Sequence, residues 1–155
     1  MNPVSFLLYV SQATTLLDEE THLACLEKAV LRSVHAGVTG QLLFRHGFFM
    51  QYLEGTEATV HDLFRHIRGT YRHFNVRILS EGTVDERLFT DWSAHWVREP
   101  SQTVSSQGLI DLFETVLTTK NPTKNELNAI LRRFGQDSIP MPLNDQQAEK
   151  QMFFR

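Results

Sequence analysis

Three observations predict an α+β fold. Five short runs rich in branched and aromatic residues read as strands, and two stretches with helically spaced apolar residues fall between them. Their order is strand, helix, strand, strand, helix, strand, strand. That is the ferredoxin-like βαββαβ pattern, a mixed sheet with two helices on one face. Here it is extended by a fifth strand and followed by two C-terminal helices.

Each element has a local reason. Val4 to Val10 is an apolar run ended by Ser11-Gln12, which reads as a buried strand. From about Glu20 to His35, Leu23, Leu26, Val30 and Val34 recur at helical spacing, and Gly37 is placed to stop the helix. Gln41 to Phe44 is a second strand. Arg45-His46-Gly47 is a hairpin turn in which the glycine supplies a positive φ. Phe48 to Leu53 is the third strand. Thr56 can cap a second helix with the inner face Val60, Leu63, Phe64, Ile67 and Tyr71. Asn75 to Leu79 and Trp92 to Val97 complete the sheet, and Glu99-Pro100-Ser101-Gln102 reads as a linker. Beyond it, Leu109, Leu112, Phe113 and Val116 mark one amphipathic helix. A Thr123-x-x-Glu126 capping box opens another, which carries Leu127, Ile130, Leu131 and Phe134. The tail from Gly135 is rich in Pro and Gln and is expected to be loose until Phe153-Phe154. The division expected is a first domain over residues 1–99 and a C-terminal extension over 100–155, with two short helices and the loose tail.

Composition excludes several function classes. The chain has 155 residues, 41% hydrophobic and 21% charged, which suits one ordinary core plus an appendage. Fifteen basic against eighteen acidic residues leave a net charge of −3, without the basic footprint of a nucleic-acid binder. A single cysteine, Cys25, excludes an internal disulfide framework and any cysteine-built metal site. No apolar run approaches the ~20 residues of a membrane span. Met1-Asn2-Pro3 does not open a signal peptide, so a cytoplasmic protein is expected, with neither nucleic acid nor membrane as partner. Of the seven histidines, His61 and His66 lie five apart on a helix and diverge, so no metal site is expected.

Two polar residues stand out against apolar neighbours. Strand alternation puts Gln51 on one face with Phe49 and Leu53, where an unpartnered amide costs about 1–3 kcal/mol. Tyr9 shares a face with Leu7, and a buried phenol also needs a partner. In a ferredoxin-like sheet the first and third strands are neighbours, so Tyr9 and Gln51 can face each other beneath the helices. Such a pair either satisfies the core or contacts a planar ligand between the helices. The basic cluster Arg65, His66, Arg68, Arg72, His73 and Arg77 is open to two readings as well: a solvated face complementing a helix dipole, or an anchor for a ribityl or phosphate group. Trp92 and Trp96 on the last strand read as core or lid residues.

The segments Leu8-Tyr9-Val10-Ser11, Gly37-Val38-Thr39-Gly40-Gln41-Leu42-Leu43-Phe44, Gly47-Phe48-Phe49-Met50-Gln51-Tyr52-Leu53-Glu54-Gly55, Tyr71-Arg72-His73 and Asp91-Trp92-Ser93 together resemble the BLUF family of blue-light sensors, which use flavin adenine dinucleotide (FAD). They lie in family order across about two-thirds of the chain. The resemblance implies that Tyr9 is the photoactive electron donor and that Gln51 is the glutamine bonded to both tyrosine and flavin. It implies flavin-binding positions at Arg32, Ser33, Ile67, Arg72, His73 and Trp92. In such proteins light rearranges the glutamine's hydrogen bonds, leaving a small red shift. Three positions depart from the pattern: Ser33 stands for the usual asparagine, Ala94 for a common methionine, and Thr70 for an acidic residue. A serine hydroxyl lacks an amide's paired donor and acceptor. With Ala94, a tryptophan–methionine exchange cannot operate.

The function expected is therefore a blue-light photoreceptor, with FAD between the two helices of the first domain. Its output would go to a downstream signalling protein or a homo-oligomer, since no catalytic domain is evident. The alternative is a flavin-free protein of the same fold serving as an interaction module. A small acyl-phosphate hydrolase is the weakest reading, because the first strand offers only Ser5, Tyr9, Ser11 and Gln12 to build an anion cradle.

Overall fold

The computed structural model describes residues 3–14, 19–70, 73–97 and 106–141. Its elements run β1 (Val4–Ala13), α1 (Glu19–His35), β2 (Thr39–Arg45), β3 (Phe48–Gly55), α2 (Glu57–Arg68), β4 (His73–Val84), β5 (Trp92–Trp96), α3 (Ser106–Thr118), α4 (Lys124–Phe134) and β6 (Ile139–Pro140). The order in the sheet is β4-β1-β3-β2-β5-β6, antiparallel except where β2 meets β5. The ferredoxin-like α+β architecture is as the sequence predicts. Tyr71, the side chains of Leu23, Leu26 and Val30, and the Glu99–Gln102 linker lie outside the described residues.

Both faces of the sheet are covered, which explains why β1 reads as an unbroken apolar run. Leu7 and Tyr9 join Val60, Leu63, Phe64 and Ile67 of α2 on one side. Phe6, Leu8 and Val10 join Leu109, Phe113 and Val116 of α3 and Leu127, Leu131 and Phe134 of α4 on the other. Fully burying each such side chain contributes about 1.5–3 kcal/mol. The apolar faces of the two C-terminal helices thus cover the second side of the sheet.

Local chemistry sets the ends of the elements. Thr56 caps α2 by accepting from the Thr59 N–H, and both bonds of the Thr123–Glu126 capping box form at the start of α4. In the β2–β3 hairpin, His46 and Gly47 both take positive φ, 51° and 78°. That mirror-image turn matches strand twist. A Cβ at Gly40 would sit 1.9 Å from the Tyr52 carbonyl oxygen, so only glycine lets β2 lie this close to β3.

Two expectations need correction. Arg45, read as a turn residue, ends β2 and is fully buried. Its guanidinium donates to the Phe134 carbonyl at 2.8 Å and to the Gln136 carbonyl, holding the last turn of α4 against the sheet. Burial pushes its pKa below the ordinary value, while the Asp137 carboxylate pushes it back up. The second concerns the tail, which is ordered from Gly135 to Met141 rather than loose. β6 pairs with β5, the Met141 N–H donates to the Ala94 carbonyl at 3.0 Å, and Met141 packs with Trp92 and Trp96. The remainder of the tail lies outside the described residues.

Replacing Arg45 with Met keeps the volume but strands two carbonyls. We expect a loss of about 2–4 kcal/mol, read as a lower urea midpoint at unchanged slope. A second expectation concerns His95 on β5, whose Nδ1 is buried without a partner. Burial lowers its pKa from the ordinary 6.5, so below that pH the unfolded chain takes up a proton that the folded one resists. Stability should therefore fall as pH drops below about 6.5, and His95→Gln should flatten that part of the profile.

Candidate functional site

The centre of the site follows from strand register. Tyr9 lies directly opposite Gln51 in the β1–β3 pairing, and both are buried, at 2% and 3% exposure. The Tyr9 hydroxyl donates to Gln51 Oε1. Among the described residues nothing accepts from the Gln51 amino group. Around the pair the Phe64 ring lies 5.4 Å from Tyr9, the His73 ring lies 6.3 Å from it, and Ile67 of α2 is buried nearby in the same core. On β2, Leu42 stands opposite Gln51, and Ala94 of β5 stands opposite Leu42.

Trp92 occupies the same side of the sheet at the head of β5, opposite Gly40. It is buried among Leu42, Phe49 and Ala94, and its Nε1–H has no hydrogen-bond partner. A buried indole N–H usually finds one. Ser33 is also buried, but its hydroxyl donates back along α1 to the Ala29 carbonyl at 2.9 Å. Only oxygen lone pairs remain for another group. Arg32 beside it is exposed.

His73 uses both ring nitrogens within the protein. Nε2 meets the Ile67 carbonyl at 2.8 Å and Nδ1 meets the Ser11 hydroxyl at 2.8 Å. A carbonyl can only accept, so Nε2 carries the hydrogen there. In the neutral ring Nδ1 then accepts from Ser11. The histidine thereby ties the end of α2 to β1. Arg72 lies outside the described residues. The rest of the basic cluster does not converge: Arg65 pairs with Asp62 on its own helix, while Arg77 reaches Glu114 of α3 at 3.6 Å on the opposite face of the sheet.

One carboxylate escaped the sequence reading except as part of a motif. Glu54 is fully buried and accepts from the Leu88 and Phe89 N–H groups at 2.9 and 2.7 Å. Thr39 and Tyr52 hydroxyls donate to it as well, at 3.1 and 3.2 Å. Burial, then the Glu54 charge, then their hydrogen bond push the Tyr52 phenol far above its ordinary pKa, so it stays neutral. An acid at the end of a strand buried on both faces was the available signal.

Residues 4–95 match the family model described as sensors of blue-light using FAD, and the chain belongs to that BLUF family. FAD is the family's cofactor. The chain is 28% identical over 129 residues to the photoactivated adenylate cyclase subunit beta of Euglena gracilis, covering 83% of this chain but only 13% of that protein. It resembles the solved dark-state structure of the BLUF protein BlrB, with 26% identity, TM-score 0.60, and coverage of 84% and 96% of the two chains. The fold is shared with BlsA in its photo-activated state at 24% identity and TM-score 0.66, covering 89% and 99%. Among the described residues no helix is long and apolar enough to cross a membrane.

Proposed function

We propose that the chain is a blue-light photoreceptor that holds FAD between α1 and α2, switches through Tyr9 and Gln51, and delivers its output to a separate signalling protein. The buried Tyr9–Gln51 hydrogen bond on the α1–α2 side of the sheet carries this reading, in a chain of the BLUF family. Two donors on that side support it. The Gln51 amino group and the Trp92 Nε1–H both lack acceptors among the described residues, as suits a planar heterocycle bearing carbonyl and ring-nitrogen acceptors. Ile67 supplies an apolar wall, and the exposed guanidinium of Arg32, which has no hydrogen-bond partner among the described residues, supplies donors beside the lone pairs of Ser33. We assign Arg72, with His73 as its neighbour, to the ribityl–phosphate side.

FAD when bound supplies the blue-light absorption and an acceptor for one electron. The protein supplies the donor and the switch. Tyr9 holds its phenolic proton on a hydrogen bond to Gln51 Oε1, which would direct that proton were the ring to give an electron to the bound group. Gln51 is an amide with a carbonyl on one side and an amino group on the other. Turning it about its last single bond converts Tyr9 from donor to acceptor. The switch thus needs no change in covalent structure.

The test is an absorption spectrum of protein purified in the dark with excess FAD, repeated under blue light. Retained flavin with a red shift that reverses in the dark is expected, and Tyr9→Phe should keep the colour and lose the shift. Failure of the wild-type chain to retain flavin contradicts the proposal and favours the interaction module, for which Ser33 and Ala94 speak. Restoring an amide with Ser33→Asn should slow flavin loss by roughly tenfold, the worth of one further hydrogen bond. Unchanged retention would mean that Arg32 already serves that edge.

A further inference from the structure

Glu54 occupies a place that packing alone does not explain. It lies three residues beyond Gln51 on β3, points to the opposite face, and has four donors gathered on one carboxylate. Two of those donors are consecutive backbone N–H groups of the segment that leads into β5. The next residue back, Arg87, closes the same segment from outside. Its guanidinium donates to Thr39 Oγ1 at 2.7 Å, to the Glu54 carbonyl at 3.3 Å and to the Gly37 carbonyl at 3.2 Å. At the far end of the segment the Asp91 carbonyl accepts from the Gly40 N–H at 3.1 Å, and Trp92 follows.

β3 and β5 are not neighbours, since β2 lies between them. Side-chain packing offers one route across, through Leu42 to Ala94. The Glu54 carboxylate offers a second that bypasses it. Its bonds are charge-assisted and buried, so they resist stretching, and β3 cannot slide without carrying residues 88 and 89 along.

We propose that Glu54 is a positioning residue through which displacement of β3 at Gln51 reaches the head of β5 at Trp92. The inference rests on the photoreceptor reading only for the origin of that displacement. The connection itself belongs to the chain.

The test is therefore run on the full chain in the dark, without added flavin, so that it answers separately from FAD retention. Gln51→Leu perturbs β3, and amide hydrogen exchange over residues 92–96 reads β5. We expect Gln51→Leu to change that exchange by roughly twofold or more, the lower end of coupling between packed sites. Adding Glu54→Gln, which puts an amino group where an acceptor is needed, should shrink the change to within experimental error. A merely structural Glu54 would raise exchange in both backgrounds and leave the effect of Gln51→Leu intact, which overturns the proposal. So does an absence of any effect of Gln51→Leu on β5 with Glu54 present. Should Glu54→Gln not fold, Arg87→Gln on the exposed side should at least halve the effect, and an undiminished effect overturns the proposal equally.

Discussion

A single hydrogen bond between neighbouring strands, from the Tyr9 hydroxyl to Gln51 Oε1, is the constraint on which the structure of the site depends. It joins two polar groups in a layer otherwise made of Leu7, Leu53, Val60, Leu63, Phe64 and Ile67. Unpaired, each would cost on the order of 1–3 kcal/mol there, so the β1–β3 register and the position of α2 are bound to that contact. Its chemistry is also what makes it useful. An amide can accept or donate at nearly equal cost, so the same two residues that complete the core can hold two arrangements. A phenylalanine–leucine pair would fill the same space without polar groups and switch nothing.

The second theme is the traffic between the two faces of the sheet. Alternation along β3 puts Gln51 toward α2 and Tyr52 and Glu54 toward the other side, where α3 and α4 pack. A change at Gln51 must therefore be carried by backbone or by strand displacement. Two buried charged residues stand where such displacement would be felt. Glu54 grips the segment before β5, and Arg45 at the end of β2 grips the last turn of α4. Neither is there only to fill volume, since an apolar side chain of the same size would strand the groups it bonds. Each instead ties a strand to a distant piece of chain in one geometry.

Much of this was legible in the residues. Gln51 between Phe49 and Leu53 announced a buried amide, Thr123-x-x-Glu126 announced the start of α4, and Gly37 announced the end of α1. The unbroken run Phe6 to Val10 carried the information that both faces of β1 are covered, although only the fold shows that α3 and α4 cover the second. What was not legible depends on parts distant in sequence. Arg45 looks like a turn residue until the carbonyls of Phe134 and Gln136 come to meet it. Ile139–Pro140 is too short to read as a strand, and it becomes one because β5 offers an edge and Met141 packs with Trp92 and Trp96. The basic cluster dissolved because Arg65 bonds Asp62 on its own helix, while a register shift in the β1–β4 pairing turns Arg77 to the face opposite His73, toward Glu114. His73 could not be foreseen as a brace, since both its partners, Ser11 and the Ile67 carbonyl, come from other elements.

The central claim is that the Gln51 amide changes its hydrogen bonds while the covalent structure stays the same. The most direct measurement is a light-minus-dark infrared difference spectrum of the FAD-loaded full chain, with glutamine side chains isotopically labelled at the amide carbon. The account predicts a label-sensitive carbonyl band that shifts on illumination, recovers in the dark at the same rate as the absorption, and disappears in Gln51→Glu. A reversible red shift with no label-sensitive band would contradict it, because the switch would then lie outside Gln51.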